Sequence, residues 1–90
     1  MNSSPLFSIR YNPDIGYTLI YDDSHGRLMF VFEYGDDPKT VVLNRRPLTG
    51  DSKLVDIDNA NRVRVELAFE RTSDFLKSEG WNVEPYGSLI

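Results

Sequence analysis

Between Leu6 and Tyr34 the chain alternates apolar and polar positions with a period of two. Over Leu6 to Tyr11, Phe7, Ile9 and Tyr11 fall on one side and Ser8 and Arg10 on the other, the signature of a half-buried strand. Asn12-Pro13-Asp14 breaks the run. After Gly16 the residues Tyr17, Leu19 and Tyr21 resume the same face, so the first two strands are expected to form a hairpin. The turn-forming Asp22-Asp23-Ser24-His25-Gly26 then leads into a third run, Arg27 to Tyr34. It places Leu28, Phe30, Phe32 and Tyr34 on one face and Met29, Val31 and Glu33 on the other. Gly35-Asp36-Asp37-Pro38 ends that strand, and the β-branched Thr40 to Asn44 predicts a fourth.

Residues 45–58, with Pro47, Gly50 and several polar side chains, read as a long loop, interrupted at most by a short extended piece at Lys53 to Ile57. From Asn61 to Glu79 two periods compete. Val63, Val65, Leu67 and Phe69 alternate like a strand, whereas Val65, Ala68, Phe69, Thr72, Phe75 and Leu76 share one helical stripe. The longer stripe and the Glu, Leu, Ala, Arg and Lys content favour a helix, with residues 62–66 either helical or still extended. Asp58 or Asn59 is a plausible N-cap, and Gly80-Trp81 resembles a Schellman stop. Trp81 to Tyr86 gives a last short strand, confined by Pro85 to an edge or an end of the sheet.

The predicted fold is therefore α+β: a four- to five-stranded, mainly antiparallel sheet in β-β-β-β-α-β order, with one long helix packed on one face. A single domain over residues 1–90 is expected, with irregular residues 1–5 and a frayed tail at 87–90. The expected core contains Phe7, Ile9, Leu19, Leu28, Phe30, Phe32, Phe69, Leu76 and Trp81. One helix can shield only one sheet face. Ile20, Met29 and Val31 therefore form an apolar patch on the other, to be covered by a short loop, the C-terminal tail or a second copy.

Composition narrows the function classes. With hydrophobic residues at 40% and charged residues at 27%, the chain sits with ordinary globular domains. It has no cysteine, which removes disulfides, thiolate metal sites and cysteine nucleophiles and points to the cytoplasm as the simplest compartment. No apolar run approaches the roughly 18 residues of a membrane span, and Met-Asn-Ser-Ser-Pro carries no signal-peptide pattern. The net charge of -4 repels nucleic-acid phosphate in bulk. A nucleic-acid reading would need the local basic residues Arg45, Arg46, Arg62 and Arg64, with exposed tyrosines for stacking.

Candidate chemistry is thin. Gly35-Asp36-Asp37-Pro38 has adjacent carboxylates of the kind that hold magnesium, yet it is an ordinary hairpin-turn sequence in a chain too short for the rest of such a site. Asp56 to Asn61 departs from the calcium-loop pattern at Ala60, Asn61 and Leu67 and suits a helix start. His25, beside Asp22, Asp23 and Ser24, shares a turn with them, and neighbours in a turn rarely converge as a triad. No catalytic residue, cofactor site or metal ligand is assigned. The expectation is a small non-enzymatic protein-protein interaction module of inhibitor, immunity or adaptor type, self-associating through Ile20, Met29 and Val31 or binding a basic protein. The alternatives are nucleic-acid binding through the four arginines, and a ligand-binding domain or small enzyme using the 45–58 loop.

Overall fold

A computed structural model of the chain describes residues 5–89. Five strands form one sheet in the order of the sequence: β1 (Leu6–Asn12), β2 (Gly16–Asp23), β3 (Gly26–Tyr34), β4 (Thr40–Asn44) and β5 (Asn82–Tyr86). The first four pair antiparallel, and β5 joins β4 in parallel after the chain crosses the sheet through α1 (Arg62–Ser78). Parallel neighbours cannot be joined by a tight turn, and the long segment between Asn44 and Asn82 is that crossover. The α+β architecture and element order read from the periodicity are those of the fold, and β5 lies at the edge that Pro85 suggested.

Helical spacing places Val65, Ala68, Thr72 and Leu76 against the sheet, where Leu19, Tyr21, Leu28, Phe30, Phe32, Val41 and Leu43 supply the facing layer. Phe7, Phe69 and Trp81 are partly buried against this core. Phe7 stacks on Phe75 with ring centroids 4.5 Å apart, and Phe69 meets Phe30 edge-on at 6.0 Å. Residues 62–66 are helical, which leaves Val63 and Leu67 on the solvent side. The N-cap is Asn61, two or three positions beyond the plausible caps Asn59 and Asp58. The Asp58 carboxylate accepts the Ala60 and Asn61 N–H groups and so builds the turn before the helix. At the other end Gly80 takes φ +94, and the Trp81 N–H bonds to the Leu76 carbonyl and the Gly80 N–H to that of Lys77. These are the two bonds of the Schellman stop.

Two packing expectations change. Ile9 was placed in the core and is 49% exposed, because β1 is an edge strand and Phe75 covers Phe7 while leaving Ile9 bare. Conversely, Ile20 and Met29 are only 3% and 9% exposed, and Val31 is half-buried. Part of their cover is the 45–58 segment. Leu48 bridges Met29 through Met29 N–H to Leu48 O at 2.9 Å and the reverse bond at 2.7 Å, then pairs with Leu54 across a turn closed by Thr49 and Lys53. Gly50 and Ser52 of that turn, with Pro13 and Ile15 of the β1–β2 turn, border the same cleft as Ile20 and Met29. A short loop, one of the three covers considered from sequence, is thus part of what shields the second face. Burying each such side chain stabilises the fold by about 1.5–3 kcal/mol.

Candidate interaction site

The four arginines of the nucleic-acid reading do not form a free basic patch. Arg45 lies over the Phe69 ring at 5.4 Å, and Arg46 donates from Nε to the Val55 carbonyl at 3.0 Å. Arg62 pairs with Glu66 one turn along α1, as the i,i+4 spacing suggested, at 3.2 Å. Arg64 reaches the other way, to the Asp23 carboxylate at 3.0 Å and the Gly26 carbonyl at 3.3 Å, and ties the start of α1 to the β2–β3 turn. Burial pushes the Asp23 carboxyl up, but hydrogen bonds from Arg64, the His25 N–H and Tyr21 outweigh it and hold it below the usual carboxylate value.

The residues around His25 separate in the same way. Asp22 takes both Nε and Nη2 of Arg27, Asp23 takes Arg64 and the His25 N–H, and Ser24 Oγ stands 3.4 Å from His25 Nδ1 with no carboxylate behind the ring. This is a two-residue hairpin turn rather than a relay. Asp56 and Asp58 serve the helix start through backbone contacts with Asn61. Among the described residues, no three His, Asp or Glu side chains gather in a way that could hold a metal ion. Nor is any helix among them long and apolar enough to cross a membrane.

The 45–58 loop does shape a cleft, of about 460 Å³, between its turn and the β1–β2 turn. Arg10 and Arg27 are its charged walls, over a floor of Ile20 and Met29, and Arg27 is already neutralised by Asp22. Arginine stays protonated at neutral pH, so these walls are cationic groups rather than general bases.

A different feature emerges beyond the C-terminal end of α1, where the helix no longer covers the sheet. Tyr11, Tyr17 and Tyr34 stand on neighbouring strands of the helix-side face, all exposed, with Tyr34 at 50%. Tyr17 meets Tyr11 and Tyr34 edge-on, each at 5.0 Å, and Tyr34 continues to Trp81 at 5.4 Å, over which Lys39 lies at 5.0 Å. Edge-to-face contacts of this kind hold rings in defined orientations at little entropic cost. The row reaches the β3–β4 turn, which carries Asp36 and Asp37, and around that edge, on the opposite face of the sheet where Val42 pairs with Glu33 and Glu84, the turn borders a cleft of about 320 Å³. Sequence reading assigned these tyrosines to a continuous core face. The signal it lacked was the length of α1 relative to the strands, which leaves the last rung of the sheet uncovered.

None of the protein-family models, curated proteins or solved structures compared with this chain matches it.

Proposed function

We propose that the chain is a small non-enzymatic binding module that acts by protein-protein contact, and that its partner presents a basic segment to the Tyr17–Tyr34 row and wraps over the acidic β3–β4 turn that the row reaches. The observation that carries this reading is a shared edge: exposed, mutually oriented tyrosines reach the β3–β4 turn with its Asp36 and Asp37, and Glu33 and Glu84 add negative charge around the same edge from the opposite face. Tyrosine is enriched where protein surfaces bind, because its ring gives a large contact area while its hydroxyl stays solvated. Arginine and lysine side chains are the natural complement, since they pair with carboxylates and lie over aromatic faces. The net charge of -4 adds long-range attraction for the same class of partner.

The test is an NMR titration of the protein with a short synthetic Arg-rich peptide at low salt. Amide shifts should concentrate at Tyr17, Tyr34, Asp36, Asp37 and Glu84. Tyr34→Ala should weaken binding about tenfold, and Asp36→Asn with Asp37→Asn should weaken it while flattening its salt dependence. Shifts that are absent, or that gather around another surface, sink the reading.

A further inference from the structure

The edges of this sheet are unequally protected. The outer edge of β5 is short and blunted. The bonds from Asn82 N–H to the Lys39 carbonyl and from Arg45 N–H to the Tyr86 carbonyl turn its even-numbered residues toward β4, so Val83 and Pro85 face out, and Pro85 has no N–H to offer. The part of β3 that β4 does not reach is closed at Met29 by Leu48. Among the described residues no such device protects β1, which runs seven residues without proline, lysine or glutamate, in unbroken register from Leu6↔Asp22 to Asn12↔Gly16.

The groups that β1 directs outward follow from strand parity. Met29 gives both backbone groups to Leu48, so its neighbours Leu28 and Phe30 bond toward β2, and their partners Tyr21 and Leu19 face β3. Thr18 and Ile20 then face β1, and Arg10 and Ser8 face β2, in agreement with the 3.2 Å bond from the Thr18 hydroxyl to the Arg10 carbonyl. Phe7, Ile9 and Tyr11 are left with N–H and C=O groups pointing away from the sheet.

We propose that a second copy of this chain pairs antiparallel along β1, joining two five-stranded sheets across a twofold axis at Ile9. Ile9 is the middle residue of Leu6–Asn12, and this register makes the strand self-complementary. On the helix side Ile9 meets the partner's Ile9 and Phe7 meets the partner's Tyr11, and on the other side Arg10 meets the partner's Ser8 rather than another arginine. Charge selects the same edge. In an acidic chain β1 carries no carboxylate, whereas β5 presents Glu84, so β1 is the edge along which two copies approach without opposed acids. At about 3.4 Å per residue the contact is roughly 24 Å long and only one strand deep, a narrow seam that buries less than the ~1,600 Å² of a standard interface, so the dimer belongs to the weak, reversible class. Pairing consumes β1 in both copies and leaves blunted β5 edges outside, which closes the assembly at two.

The absence of native cysteine gives a clean test. Under mild oxidation Ile9→Cys should cross-link readily, because directly opposed residues in such a pair lie about 5.5 Å apart at Cα, within disulfide reach. Leu6→Cys should not, although Leu6 is the more exposed at 72%, because the register holds it roughly 20 Å from its copy. Sedimentation of the wild type from about 10 μM to 1 mM should show an average mass rising toward twice the monomer, and Ile9→Lys should weaken that association at least about tenfold with an unchanged circular-dichroism spectrum. A monomer throughout overturns the proposal, as does equal cross-linking at both positions or a dimer that Ile9→Lys leaves intact. Peptide-induced shifts at Tyr34 persist in Ile9→Lys if the basic-partner reading is correct, so the two proposals fail separately.

Discussion

Thr72 lies on the inner face of α1, fully buried, and its hydroxyl has no hydrogen-bond partner among the described residues. A buried hydroxyl without a partner costs about 1–3 kcal/mol of desolvation. Thr72→Val keeps the shape and removes the cost, so it should raise stability by about 1 kcal/mol, read as a higher urea midpoint at constant slope. A lower midpoint would mean that the hydroxyl is satisfied in solution. At this scale the sequence was informative about local partners and silent about distant ones. The i,i+4 pair of Arg62 with Glu66 follows from spacing alone, whereas Arg64 with Asp23 spans 41 positions and needs the fold to bring the two together.

Among the elements, the 45–58 segment shows where periodicity stops being a guide. Its short extended piece was foreseen near Lys53 to Ile57, and Leu54 does pair there, but the decisive contact is Leu48 on Met29. One bridge has no alternation to detect. Leu48→Pro removes the N–H that bonds to the Met29 carbonyl at 2.7 Å, and it should cost about 1–3 kcal/mol and speed hydrogen exchange of the Met29 amide. If Met29 exchange is unchanged, the bridge does not form in solution. The strands and helix were legible because each repeats its own period over several residues, and their stops because Gly and Pro act locally. The N-cap was misplaced by a few positions because Asp58, Asn59 and Asn61 are all suitable capping residues, and the choice among them depends on how the turn closes.

For the whole molecule, the Arg64–Asp23 pair docks the start of the crossover helix on the β2–β3 turn. Asp23 titrates below its ordinary value of 3.8 in the fold, so its contribution to stability is complete above that value and is lost as pH falls through the lower, folded one. The stability gap between wild type and Asp23→Asn should therefore be present at about pH 7 and shrink by about pH 2.5 in urea unfolding. An equal gap at both would assign the loss to packing instead. The sequence by itself determined the elements, their order, the helix-covered core of Leu19, Leu28, Phe30, Phe32 and Leu76, and the turn roles of His25 and the paired aspartates, because these rest on local period and turn chemistry. Only the tertiary structure decided what is covered. Ile9 and Ile20 look alike in the sequence, yet Ile20 lies on a central strand behind the Leu48 loop and Ile9 on an edge that nothing described shields. Exposure depends on which neighbours arrive from far along the chain, and that is why the tyrosine row and the β1 edge became visible only in the assembled sheet.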